Sequence, residues 1–98
     1  MWILRSDAST GKDTTFRLLP GAVKTVGRAT RADFVVDAAL VSRLHCRLTA
    51  LESGGLEVED LRSTNGTFVN DKRVDRTPLA AGDRLRIGRV ELKVELAN

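Results

Sequence analysis

The chain has 98 residues, 42% hydrophobic and 30% charged, which fits one folded domain with a modest core and excludes a disordered segment. No apolar run approaches a membrane span, residues 1–5 are too short for a signal peptide, and the one cysteine excludes an internal disulfide. Eight basic and four acidic residues precede position 50, against eight and nine after it, so the net charge of +3 leans toward the first half and favours an anionic partner.

Period-two alternation dominates from one end to the other, and no helical stripe is sustained. It predicts strands over 2–5, 15–19, 23–26, 34–36, 45–51, 56–59, 67–69, 72–74, 84–87 and 90–96. The polar stretch 7–14 reads as a mobile loop. The last strand is the cleanest: Val90, Leu92, Val94 and Leu96 share one face, and Glu91, Lys93 and Glu95 the other. Turn signals at Pro20-Gly21, Ser53-Gly54-Gly55, Asn70-Asp71, Ala81-Gly82-Asp83 and Gly88 separate the strands at short intervals. Many short strands with one polar face each imply an all-β fold, read as a β-sandwich of two antiparallel sheets, with a barrel as the competing closure. Residues 1–98 are expected to form a single domain, a terminal piece of something longer with a complete small protein as the alternative, in a reducing, cytoplasmic setting.

The loops between these strands carry an ordered series: Gly27-Arg28, Ser42-Arg43-Leu44-His45, Ser63-Thr64-Asn65-Gly66-Thr67, Phe68-Val69-Asn70 and Gly82-Asp83. It places an arginine, two hydroxyls and an amide in loops, the inventory needed to grip a phosphate on a peptide. Gly27 permits an unusual backbone angle or a close approach, and it launches Arg28 from a fixed point. Ser42 and His45 lack a Gly-x-Ser-x-Gly elbow and an orienting carboxylate, so neither is read as catalytic and no enzyme is expected. His45 and Cys46 are neighbours on a predicted strand and point to opposite faces, so they form no metal site; no cofactor motif is present. Cys46 falls in phase with Leu48 and Ala50 as a small core residue, and Phe68 and Val69 are expected to supply core and strand.

This series, from about Val23 to Leu96, resembles the forkhead-associated (FHA) domain, a module that recognises phosphothreonine. The resemblance implies a sandwich of about 11 short strands with the binding loops at one end. It implies that Arg28, Ser42 and Thr64 meet the phosphate, Thr64 through its hydroxyl or its backbone, while Asn65 holds the peptide strand. Arg43 becomes a helper to phosphate or peptide, with a solvated charge as the alternative. Gly27, His45, Gly66 and Asn70 support the site. The implied partner is a protein or peptide phosphorylated on threonine by a Ser/Thr kinase, making the chain a signalling adaptor.

Three other readings compete with this one. The same fold can serve as a phosphate-independent scaffold or oligomerisation domain. A basic nucleic-acid-binding β-domain fits the charge, but the chain has no tyrosine and its aromatics are only Trp2, Phe16, Phe34 and Phe68. Phosphorylation at Ser9, Thr10, Thr14 or Thr15 would let one molecule dock on the next.

Overall fold

Alternation becomes two sheets because each strand can bury only one of its faces. The computed structural model describes residues 1–6 and 14–97; residues 7–13, with Ser9, Thr10 and most of the expected mobile loop, lie outside the described residues. Eleven strands follow in order: β1 (Trp2–Ser6), β2 (Thr15–Leu18), β3 (Val23–Gly27), β4 (Phe34–Val35), β5 (Cys46–Ala50) and β6 (Leu56–Asp60). Then come β7 (Thr67–Val69), β8 (Lys72–Val74), β9 (Arg76–Leu79), β10 (Arg84–Ile87) and β11 (Val90–Leu96).

One sheet has the order β2-β1-β11-β10-β7-β8 and the other β4-β3-β5-β6-β9, so the closure is a sandwich and not a barrel. Leu4, Leu18, Leu85, Leu92 and Val94 from the first sheet meet Val26, Leu48, Leu56, Val58 and Leu79 from the second. Each such side chain contributes about 1.5–3 kcal/mol on leaving water. Cys46 is fully buried among them, and burial, followed by the nearby Asp60 charge, pushes its thiol up to about 12, leaving it inert.

Three expectations are corrected. The sheets are not wholly antiparallel: β4 runs parallel to β3, pairing Val26 with Phe34 and Gly27 with Val35. The cause is a clamp in the short 28–33 connection, where the Asp33 carboxylate accepts from Thr25 N and Thr25 Oγ1 at 2.9 and 3.1 Å and turns the chain back beside β3. Strand β9 was not anticipated because Pro78 breaks the pattern, yet β9 pairs only with β6, and an edge strand tolerates proline. Phe68 is not a core residue: Thr67 and Val69 face inward, and Phe68 lies half-buried on the outer face under the Arg86 guanidinium, 4.3 Å from its ring centre.

The topology gathers the β3–β4, β4–β5 and β6–β7 connections at one end. Beyond the last β3–β5 pair, an irregular ladder of backbone bonds, out of the strand register, runs from His45 N to Val26 O, Arg28 N to Ser42 O and Ala29 N to Arg43 O, at 2.8, 2.9 and 3.1 Å. That extension sets Arg28 directly beside Ser42.

Candidate functional site

Arg28 leaves β3 with its backbone fixed by this ladder and its Nε donating to Val41 O at 3.1 Å. That bond commits Nε of an exposed side chain, and among the described residues no ion pair engages the two terminal nitrogens. Arg28 and Arg43 line one open depression together with Ala29, Thr30, Val35 and Asp37. Neither arginine forms an ion pair among the described residues.

Ser42 sits between two neighbours. Its N–H donates to His45 Nδ1 at 3.0 Å, and its Oγ accepts from Thr64 N at 3.0 Å. Because the hydroxyl accepts from the protein, its own proton remains available to donate. Thr64 has spent its backbone N–H on Ser42, so of its two possible donors to a phosphate only the hydroxyl remains. Asn65 Nδ2 donates to Leu40 O at 3.1 Å, bridging the second and third loops. Leu40 has φ +70° and is exposed, an unusual backbone for a non-glycine residue that this amide helps to hold.

His45 is completely buried and joins the loops from beneath. An amide N–H can only donate, so Nδ1 must accept from Ser42, and Nε2 must carry the proton it gives to Gly66 O at 2.8 Å. The imidazole is thus held as the neutral Nε2–H tautomer. Gly66 has φ +91°, the left-handed region that only glycine enters freely, and its N–H donates to Ser63 Oγ at 2.9 Å.

Three residues to which sequence reasoning gave no role complete the scaffold. The Asp60 carboxylate accepts from Ser63 Oγ at 2.5 Å, Thr67 Oγ1 at 2.7 Å and Ser63 N at 3.2 Å. The signal was present as Asp60-x-x-Ser63, the spacing at which a short acidic side chain ties a turn to its own backbone. Burial raises the Asp60 pKa, but the bonds from Ser63 and Thr67 outweigh it and hold the carboxyl below the ordinary carboxylate range. A depressed folded pKa gives stability that is present above the unfolded value, about 3.9, and lost as pH falls through the folded one. Asp60→Asn should therefore cost about 1–3 kcal/mol at neutral pH. Urea unfolding of both proteins should show that gap narrowing below about pH 4, and an equal gap at pH 7 and at about pH 3 would rule the network out as the cause.

Asn70 stands apart from the loop end. It and Asp71 turn β7 into β8 with φ +49° and +68°, and its amide bonds Asp83 Oδ1 and Arg84 N at 3.0 Å each. The sequence-predicted set thus divides: Gly27, Arg28, Ser42, Arg43, His45, Thr64, Asn65 and Gly66 converge on one end, while Asn70 braces the β7–β8 turn against β10. Among the described residues no group of His, Cys, Asp and Glu side chains could hold a metal ion, and no helix is long and apolar enough to cross a membrane.

Comparison with known proteins adds three findings. The FHA domain model matches residues 24–88. The chain is 46% identical over 92 residues to the ABC transporter ATP-binding/permease protein Rv1747 of Mycobacterium tuberculosis, covering 94% of this chain and 10% of that protein. It is 40% identical over 75 residues to the glycogen accumulation regulator GarA of the same species, covering 76% of this chain and 46% of that one. The chain therefore spans less than half the length of these curated relatives. Among solved structures, one described as a structural and functional analysis of phosphothreonine-dependent FHA domain interactions superposes with TM-score 0.86 at 33% identity, covering 99% of this chain and 97% of that one. The FhaA FHA domain complexed with the intracellular domain of Rv3910 superposes at 0.85 with 34% identity, covering 97% and 100%.

Proposed function

The chain belongs to the FHA domain family, and on that premise we propose that it docks phosphothreonine peptides and performs no bond chemistry. Arg28, Ser42 and Thr64 take the phosphate oxygens, Asn65 takes the peptide backbone, and Arg43 adds positive potential at the rim. The observation that carries this reading is the Ser42 hydroxyl. It is held by Thr64 N with its proton free to donate, on the residue whose carbonyl accepts from Arg28 N. A phosphothreonine carries about −1.5 to −2 charges at neutral pH, so the bonds it receives here are charge-assisted. Similar proteins support the partner class, since one solved FHA relative is described by its phosphothreonine-dependent interactions.

In this reading residues 1–98 are one adaptor domain, cytoplasmic, without cofactor, and part of a larger protein whose partner is the substrate of a Ser/Thr kinase. Gly27, His45 and Gly66 keep the loops in place, and Asn70 braces the adjoining hairpin.

Calorimetric titration with one degenerate peptide library in phosphothreonine, phosphoserine and unphosphorylated forms tests the assignment. Binding should be confined to phosphorylated peptides and favour threonine over serine by about tenfold or more, the discrimination one methyl provides in an apolar slot. Equal or absent binding to all three forms would overturn it in favour of a phosphate-independent scaffold.

A further inference from the structure

The outer face of the first sheet carries a feature that the loop site does not use. Strand β8 places Arg73 opposite Phe68 on β7, and Phe68 in turn lies opposite Arg86 on β10, so two guanidinium groups flank one ring. Arg86 stacks on the Phe68 face, its central carbon 4.3 Å from the ring centre. Arg73 leans the other way, toward the loops. A methyl group built on Gly66 would lie 2.9 Å from Arg73 Nε and 3.3 Å from Phe68 Cε1. Arg73 thus covers Gly66, the residue that follows Asn65.

The ion pairs of the described residues are Arg5–Glu95, Arg47–Glu59, Arg76–Glu57 and Arg84–Asp71, and none includes Arg73 or Arg86. Glu91 pairs across the ladder from Arg86 but makes no ion pair with it. Arg73 and Arg86 stand two strands apart on either side of Phe68, with no carboxylate between them, so their positive fields add over the ring and favour an anion there. Stacking on Phe68 also restricts Arg86 and lowers the entropy lost when its fork meets an oxyanion.

We infer that Arg73 and Arg86 form an anion-binding shelf continuous with the phosphothreonine loops, which takes an acidic or phosphorylated side chain of the same docked peptide. The inference rests on the phosphothreonine reading above and adds a specificity to it. A peptide held by Asn65 that continues over Gly66 meets Arg73 first and Arg86 next. The shared chemistry is an oxyanion flanking the phosphothreonine, supplied either by Asp or Glu or by a second phosphate.

The test uses phosphothreonine peptides with alanine on both flanks, with glutamates on one flank, with glutamates on the other, and with a phosphoserine replacing the favoured glutamates. Wild type should prefer glutamates on one flank by about three- to tenfold at low salt, the range expected of partly exposed ion pairs. The phosphoserine peptide distinguishes a second phosphate from carboxylates as the better occupant. The double variant R73Q/R86Q should lose that preference while binding the alanine-flanked peptide like wild type, which also shows that it is folded. A preference that is absent in wild type, or that survives R73Q/R86Q, overturns the shelf alone. If Arg28→Ala binds the alanine-flanked phosphopeptide as wild type does, the underlying site is misassigned and the shelf falls with it.

Discussion

Replacing Arg28 by alanine should abolish measurable phosphopeptide binding, a loss of about 2–5 kcal/mol, while leaving the fold intact. The separation of the two effects follows from where the residue is held. Its backbone N–H is fixed to Ser42 O at 2.9 Å, an interaction that alanine keeps. Its side chain is exposed and, among the described residues, contributes one bond to the protein, from Nε to Val41 O at 3.1 Å, worth about 0.5–1.5 kcal/mol to stability. What alanine removes is the guanidinium with its two terminal donors. Arg28→Lys sharpens the point: lysine keeps the charge but has no planar pair of donors and no Nε to anchor on Val41. It should recover only part of the lost affinity. Calorimetry on wild type, Arg28→Ala and Arg28→Lys, with thermal melts alongside, decides the matter. Unchanged affinity in the alanine variant, with a native melt, would remove Arg28 from the site.

Much of this arrangement was legible before any coordinates, for reasons that differ by residue. Strands such as β11 declare themselves because Val90, Leu92 and Val94 must face one way for the sheet to bury anything, and period two admits no other reading. Arg28, Ser42, Thr64 and Asn65 stand out in the sequence because their chemistry is distinctive and their loops are marked by glycine and by short polar residues, and the fold brings those loops to one end. Strand β9 was hidden by Pro78, whose position at an edge is a property of the whole sheet and not of its neighbours in sequence. Phe68 was misread because a large aromatic side chain suggests a core. The inward positions on β7 belong to Val69 and to Thr67, whose hydroxyl is satisfied by Asp60 at 2.7 Å and so can be buried without penalty. The parallel β3–β4 pair depends on Asp33 reaching back across eight residues to Thr25, a contact no alternation pattern encodes. His45 lies between these cases. A lone histidine predicts a satisfied structural role, but only the bonds to Ser42 N and Gly66 O show which nitrogen carries the proton.

The largest effect on the folded state should come from the least conspicuous residue, Gly27. Its φ is not positive, so the need for glycine is not a matter of backbone angle. It is one of space. A Cβ at this position would lie 2.0 Å from Arg43 O, 2.7 Å from Arg43 C and 2.9 Å from Leu44 Cα. All three are backbone atoms, and no rotamer change can move them aside. They belong to the segment whose carbonyls accept from Arg28 N and Ala29 N, so relief would require breaking the ladder that aligns Arg28 with Ser42. Gly27→Ala should therefore destabilise the protein by about 2–4 kcal/mol, beyond the usual range for one added methyl in a core because the neighbours cannot repack. Any molecules that stay folded should have the Ser42-bearing loop displaced. That predicts loss of phosphopeptide binding even at temperatures well below the melt, with every phosphate-contacting side chain still present. Urea denaturation combined with peptide titration at low temperature measures both. A Gly27→Ala protein with wild-type stability would show that the close approach at Arg43 is not required. One with reduced stability but full affinity would show that Arg28 and Ser42 are aligned by something other than the β3–β5 extension.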